Sequence, residues 1–246
     1  MCLLINQRNN KPIKKEYLQT AYTCNNDGAG FSYARNGKLI INKYRNFNKF
    51  YKAYKTAVHS YGNESDFIIH FRLATNGVEK GVFNVHPFKI SAKLVFAHNG
   101  VLDVKNHTKK SDTQVFNNFI LKELPDNFLK SKAHIILLEG FIGSDKLVFL
   151  DNKGSSTIIN EGRGHWNESN NTWYSNRSYK PREIYYNNNY AHFPYNNYKP
   201  HTNGINNYLD KLNTCKFCSE VKCTKQIKYH GLKINLCNTC KQYATK

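Results

Sequence analysis

Cys2 directly follows the initiator methionine, in the opening stretch MCLLIN. A small residue here lets methionine aminopeptidase remove Met1, after which Cys2 carries a thiol and a free α-amine on one carbon. The unperturbed pKa is about 7.7–8.0 for an α-amine and about 8.5 for a thiol, so a neutral amine can accept the thiol proton. Such a residue is a nucleophile with its own base. The alternative is that Cys2 is a small hydrophobic residue at the start of a strand.

Hydrolysis of an amide also needs donors for the oxyanion that forms. Asn99-Gly100 follows the apolar segment KLVFAH and offers a side-chain amide and a backbone N–H, although Asn-Gly is also an ordinary turn sequence. Arg72 ends the apolar segment DFIIHF, where its guanidinium could bind a carboxylate by two parallel bonds. Asp112 begins a predicted helix, a position that favours a carboxylate whether or not it has another role.

A second group of chemically active residues lies near the C-terminus. Four cysteines follow the spacing C-x2-C-x18-C-x2-C, which is typical of a tetrahedral structural zinc site: Cys215, Cys218, Cys237 and Cys240. A hairpin predicted at YHGLKINL would bring the two pairs together, and Cys223 or His230 could replace one ligand. Four unbound thiols or a redox pair are weaker interpretations, since no thioredoxin-like βαβ pattern surrounds them.

The elements that must position these residues can be read from hydrophobic periodicity. We predict strands at CLLI, GFSYAR, KLIINKY, DFIIHFRLAT, KLVFAHNG, HIILLEG, KLVFLD and STIINEG, with an Asn-Gly hairpin turn between the second and third. Helices are predicted from KPIKKEYLQTAYTC, from Phe47 to Tyr61 and from SDTQVFNNFILKEL. The fold class is therefore α+β, with sheets covered by helices.

Composition and charge limit the remaining possibilities. The 246 residues include 36 Lys and Arg against 17 Asp and Glu, a net charge of +19 that favours polyanionic partners, unless it reflects the coding bias of an AT-rich genome. No apolar run is long enough for a membrane span and no secretory leader is recognisable, so we expect a cytoplasmic protein without membrane contact. The Asn- and Tyr-rich segment 181–212 is predicted to be a linker between a domain at 1–180 and a zinc-ribbon-like domain at 213–246.

The ordered motifs of residues 1–180 resemble the class II glutamine amidotransferases, which are N-terminal-nucleophile (Ntn) hydrolases. The resemblance rests on Cys2, then NNDGAGFSY, HFRLATNG, NVHPF, AHNGVL and SDT, with GHWNESNNTWYSNRSY similar to the closing strands. In particular it resembles the small stand-alone branch of bacteria and phages, which would place a phage-encoded copy in the host cytoplasm. The chain departs from larger members at Leu3, where they often have Gly, and at Asn76, where they often have His.

The resemblance implies a four-layer αββα sandwich and a role for each matching residue. Cys2 would be the nucleophile and its α-amine the base, while Asn99 and Gly100 would form the oxyanion hole. For the substrate glutamine, Arg72 and Thr75 would bind the α-carboxylate, and Asp112 would bind the α-ammonium. No synthase domain follows, so the ammonia acceptor would be a separate partner enzyme.

Two other functions remain open at this stage. The amidotransferase fold could be an inactive platform in a protein that binds nucleic acid or another protein, as the charge, the Tyr-rich linker and the ribbon motif suggest. Alternatively, another amide, such as a γ-glutamyl peptide, could be the substrate.

Overall fold

The protein's architecture is taken from a computed structural model that describes residues 2–74, 81–104, 110–180, 224–229 and 232–237, the last two ranges as backbone only. The chain divides into two units, residues 1–180 and 181–246. Thr75, Asn76, Cys215, Cys218, Cys223, His230 and Cys240 lie outside the described residues.

The first unit is a mixed α+β structure with two antiparallel sheets, in agreement with the predicted fold class. The six-stranded sheet has the order β3-β2-β4-β1-β10-β9, and the four-stranded sheet has the order β5-β6-β7-β8. The strands are β1 (Leu3–Gln7), β2 (Ala29–Arg35), β3 (Lys38–Tyr44), β4 (Phe67–Phe71), β5 (Phe88–Lys89), β6 (Leu94–Asn99), β7 (Lys146–Asp151), β8 (Ser156–Ile159), β9 (His165–Asn167) and β10 (Thr172–Tyr174).

Four α-helices accompany these strands in the described part of the first unit. They are α1 (Lys15–Cys24), α2 (Phe47–Tyr61), α3 (Asp112–Phe119) and α4 (Lys132–Ile142). The periodicity predicted α2 correctly. Helix α3 begins directly after the predicted cap, Ser111, whose side chain and that of Gln114 form a capping box. It ends at Phe119, so the predicted continuation of this helix to Leu124 is wrong. None of the helices in the described ranges is both long and apolar enough to cross a membrane.

Buried side chains form three clusters that follow the alternation of the strands. One joins one face of the six-stranded sheet to α1 and α2, and another joins the four-stranded sheet to α3 and α4. The third contains Leu4, Ile68 and Trp173 from the larger sheet and Val95 and Val148 from the smaller one. The two sheets therefore pack face to face, and burying each large apolar side chain contributes about 1.5–3 kcal/mol.

The predicted strand at HIILLEG is wrong, because this segment lies within helix α4. A short apolar run is compatible with either a buried strand or a helix. The residues at the two ends of the segment favour the helix. The Ser131 side chain accepts a hydrogen bond from the His134 N–H at the N-terminus, and Gly143 ends the helix with a φ of 56°. Leu138 and Ile142 face the core, whereas Leu137 is 70% exposed.

The second unit contains a hairpin of strands β11 (Thr224–Tyr229) and β12 (Leu232–Cys237) in its described residues. Thr224 pairs with Cys237 and Tyr229 pairs with Leu232, so the two strands of the predicted hairpin are present. Cys237 is the only predicted zinc ligand within the described ranges, at the open end of this hairpin.

Candidate active site around Cys2

Strand register brings Cys2 to the end of β4. Leu3 pairs with Phe71 in the antiparallel β1–β4 ladder, which places Cys2 beside the residues that follow β4. The Leu73 N–H donates to Cys2 Sγ at 3.3 Å, and the thiol donates to the Leu73 carbonyl at 3.5 Å. Side chains alternate along a strand, so Cys2 lies on the same face as Leu4, toward the second sheet.

The environment of Cys2 holds its thiol protonated. Burial raises the pKa of the Cys2 thiol, and the negative charge of Asp112 adds to this. The Leu73 N–H and the Arg72 guanidinium lower the pKa of Cys2, but their effect is smaller than that of burial. A protonated thiol is a weak nucleophile, so attack by Cys2 requires a base that removes its proton.

Asn99 approaches Cys2 from the other sheet. It is the last residue of β6 and shares a strand face with Val95 and Ala97, which are buried between the sheets. Its Nδ2 donates a hydrogen bond to the Cys2 carbonyl, and Asn176 Nδ2 donates to the same oxygen at 2.8 Å. A carboxamide has two N–H donors, which leaves the second N–H of Asn99 for a ligand.

Gly100 holds a backbone conformation that disfavours a side chain. Its φ is +156°, and a Cβ atom at this position would collide with the Asp145 carboxylate. The backbone conformation therefore favours glycine here, and a side chain would also have to displace the Asp145 carboxylate.

Arg72 lies at the same end of β4, with only 6% of its surface exposed. Its backbone is fixed by the Arg72 N–H, which donates to the Gly28 carbonyl at 2.8 Å, and by the Asp27 N–H, which donates to the Arg72 carbonyl at 3.0 Å. Burial lowers the pKa of Arg72, whereas the nearby Cys2, Asp27 and Asp112 raise it. One guanidinium nitrogen, Nη1, is buried without a hydrogen-bond partner among the described residues, and such a group favours an incoming acceptor.

Asp112 supplies a negative charge to this group of residues. It is the first residue of α3, and its Oδ2 accepts a hydrogen bond from the Leu102 N–H at 2.8 Å. The Thr113 N–H donates to Oδ1 at 2.7 Å. Because Asp112 acts electrostatically on both Cys2 and Arg72, the three side chains form one cluster.

The structure thus brings together five of the residues singled out from the sequence: Cys2, Arg72, Asn99, Gly100 and Asp112. Thr75, predicted to assist Arg72, falls outside the described residues, as do three of the four predicted zinc ligands. The described residues hold no group of three or more His, Cys, Asp or Glu side chains that could bind a metal ion.

Sequence reasoning missed two contacts of Cys2. The Leu73 backbone could not be found, because any residue type offers an N–H and only the strand register brings this one to the thiol. Asn176 could have been suspected from SNRSY, where a polar cluster follows β10 and β10 pairs with β1.

No family model matches the chain, and no match was found among curated proteins. The arrangement around Cys2 is therefore interpreted through its own chemistry.

Proposed function

We propose that the chain is an amide hydrolase of the Ntn type that releases ammonia from glutamine, with Cys2 as its nucleophile. The observation that supports this is the meeting of a half-buried thiol, a donor amide, a cation and an anion at one end of two facing sheets. The amide is that of Asn99, and the charges are those of Arg72 and Asp112.

The proposed reaction begins with removal of Met1, which frees the α-amine of Cys2. The neutral amine accepts the thiol proton while Sγ attacks the side-chain carbonyl carbon of glutamine. The oxyanion accepts hydrogen bonds from the second N–H of Asn99 and from the Gly100 N–H. Collapse of the tetrahedral intermediate breaks the C–N bond, and the amine returns its proton to the departing ammonia. Water then attacks the γ-glutamyl thioester, giving glutamate and the regenerated thiol.

The charges near Cys2 favour an amino acid as the substrate. A free amino acid carries a carboxylate and an ammonium on the same carbon, and Arg72 and Asp112 provide a cation and an anion close to one another. The unpartnered Nη1 of Arg72 supplies a donor for the carboxylate. Substrate contacts at Thr75 are part of the same proposal.

The packing of the first unit supports the finer fold assignment. Two facing sheets with helices against their outer faces agree with the four-layer αββα sandwich expected of Ntn hydrolases. In the second unit, the proposal includes a zinc ribbon with a site of four cysteine ligands, which suits Zn²⁺ because thiolates are preferred ligands of this metal. The ribbon would recruit a cytoplasmic partner enzyme that consumes the ammonia.

The proposal is tested on the purified full-length protein. Intact mass measurement should show loss of Met1, and incubation with glutamine should yield equal amounts of glutamate and ammonia. Cys2→Ala should abolish the reaction, whereas Cys24→Ala should retain it, since Cys24 is the last residue of α1 and no role is assigned to it. A retained Met1, or glutamate release that survives Cys2→Ala, would rule out this mechanism.

A second candidate function, binding of nucleic acid, is favoured by the net charge of +19. It predicts binding to single-stranded RNA or DNA that weakens as salt is raised. Binding that persists in Cys2→Ala, together with absence of glutaminase activity in the wild type, would select this function.

A further inference from the structure

A hydrogen-bonded chain of four side chains ends at Asp112, a member of the Cys2 cluster. His98 precedes Asn99 in β6 and therefore faces the opposite side of the strand, where it is 2% exposed. Its Nε2 lies 3.0 Å from Asp145 Oδ2, and its Nδ1 lies 3.0 Å from Thr113 Oγ1. Thr113 Oγ1 in turn lies 3.2 Å from Asp112 Oδ1, where it can donate its proton.

The two ends of this chain reach two different parts of the proposed site. At one end, the Asp112 carboxylate is the proposed partner of the substrate ammonium. At the other end, the Asp145 carboxylate packs directly against Gly100, where a Cβ atom would collide with it. Strand β6, helix α3 and the segment before β7 are thereby linked through a single buried imidazole.

The hydrogens available make the contacts interdependent. The Thr113 hydroxyl has one hydrogen, so it can donate either to His98 or to Asp112, but not to both. If Asp145 accepts the Nε2–H and Nδ1 carries no hydrogen, Thr113 donates to His98. If both ring nitrogens carry hydrogens, Nδ1–H donates to Thr113, and the hydroxyl donates to Asp112. A change at Asp145 is therefore felt at Asp112 through His98.

We propose that His98 is a positioning residue that couples the Asn99–Gly100 oxyanion corner to the substrate-binding carboxylate of Asp112, through Thr113 and Asp145. This rests on the proposed function, because it assigns the two ends of the chain to two parts of glutamine. His98 touches no reacting atom; it acts by fixing the groups on either side of it.

Steady-state kinetics test this coupling in three variants, Thr113→Val, Asp145→Asn and the double variant. Two substrates are compared: glutamine and glutaramate, which lacks the α-amino group. Thr113→Val should raise the KM for glutamine about tenfold, the scale of one hydrogen bond to a charged group, and leave kcat/KM for glutaramate nearly unchanged. Asp145→Asn should lower kcat with both substrates, because it disturbs Gly100. Thr113→Ser retains the hydroxyl and should restore most of the affinity for glutamine.

The double variant decides whether the chain is continuous. Its loss of kcat/KM for glutamine should be at least about threefold smaller than the product of the two single losses, as expected for coupled neighbours. Multiplicative losses, or equal KM effects on glutamine and glutaramate, would overturn the proposal and leave His98 a purely structural role. A wild-type protein that releases no glutamate would instead overturn the proposed function itself, and the positioning role with it.

Urea unfolding of the wild type, Thr113→Val, Asp145→Asn and the double variant separates these outcomes without requiring activity. If the two substitutions are coupled in the unfolding equilibrium but their losses of kcat/KM simply multiply, the chain stabilises the fold and does not position the site. If the effects of the two substitutions on the free energy of unfolding simply add, the hydrogen-bonded chain is not continuous. This result would contradict the proposal directly.

Discussion

The side-chain amide of Asn99 donates a hydrogen bond to the backbone carbonyl of Cys2, although Asn99 ends a strand of one sheet and Cys2 precedes a strand of the other. The contact joins the last residue of β6 to the residue that precedes β1. It holds the proposed nucleophile and the proposed oxyanion donor in a fixed relation before any substrate arrives. Such preorganisation is the main source of electrostatic stabilisation of a transition state.

Replacing Asn99 should therefore affect the chemical step more than substrate binding. We expect Asn99→Ala to lower kcat for glutamine about 10²- to 10³-fold with a small change in KM, because one oxyanion donor is lost. Asn176→Ala is the matched comparison, since Asn176 donates to the same carbonyl at 2.8 Å but is assigned no oxyanion contact. Steady-state kinetics of both variants would contradict the assignment if the two losses of kcat were equal.

Arg72 should determine affinity for the substrate carboxylate. Arg72→Lys retains the charge but loses the paired geometry of a guanidinium, so we expect the KM for glutamine to rise about 10- to 100-fold with a smaller change in kcat. Arg45→Lys is the control, because Arg45 is exposed and close enough to act electrostatically on Arg72. An unchanged KM in Arg72→Lys, with activity still dependent on Cys2, would favour a different amide as substrate.

Gly100 and Gly140 offer a matched pair of glycine substitutions. Gly100→Ala combines a strained φ of +156° with a collision against Asp145, so we expect loss of activity and a lower free energy of unfolding. Gly140 lies within helix α4, and a Cβ atom there would meet nothing within 4 Å. Gly140→Ala should stabilise the protein by about 0.5–1 kcal/mol. Urea denaturation measures both effects, and equal destabilisation would refute the steric argument.

The residues around Cys2 were predictable to the extent that their chemistry is local. Asn99, Arg72 and Asp112 each follow an apolar strand or begin a helix, and these boundaries are visible in the sequence. What the sequence does not contain is the register of β1 against β4, which pairs Leu3 with Phe71 and brings the Leu73 N–H to the thiol. Register depends on packing between distant segments, so it emerges only in the folded chain.

The buried histidine chain illustrates a second limit. His98, Thr113 and Asp145 come from three elements, and each has an ordinary local interpretation as a strand, helix or loop residue. The wrong prediction for α4 has a related cause, because Ile135, Ile136 and Leu137 form a continuous apolar run without a clear helical period. Partly exposed apolar side chains such as Ile136 give no pattern from which the secondary structure can be deduced.

The cysteine spacing of the second unit predicts one Zn²⁺ per chain. Inductively coupled plasma mass spectrometry of the full-length protein should give a stoichiometry near one, and Cys215→Ser should abolish metal retention. Cys24→Ser is the control, since this residue lies in the first unit. Parallel measurements on Cys223→Ser and His230→Gln identify the fourth ligand. Full zinc content in Cys215→Ser would mean that the predicted ligand set is wrong.

Two buried histidines of the first unit stack on one another. The ring centroids of His70 and His86 are 4.1 Å apart, and both residues are buried. Burial lowers the pKa of His70 to about 3, and it lowers the pKa of His86 well below its ordinary value. The positive charges of Arg72 and Lys43 lower both pKa values further. Both side chains are therefore neutral in the folded protein at pH 5, where the unfolded chain would carry their protons.

Stability should consequently fall as the pH is lowered. In the unfolded chain the histidines bind protons below about pH 6.5, whereas folded His70 binds one only near pH 3. The contribution of neutral His70 to the free energy of unfolding is therefore complete above pH 6.5 and is lost as the pH falls toward 3. Each histidine should add about 1.4 kcal/mol per pH unit to the slope of the free energy of unfolding.

In urea titrations between pH 4 and 7, His70→Phe should remove one such increment. His59→Gln, which replaces an exposed histidine of α2, is the control. Identical slopes in the wild type and in His70→Phe would show that His70 is not the group that titrates.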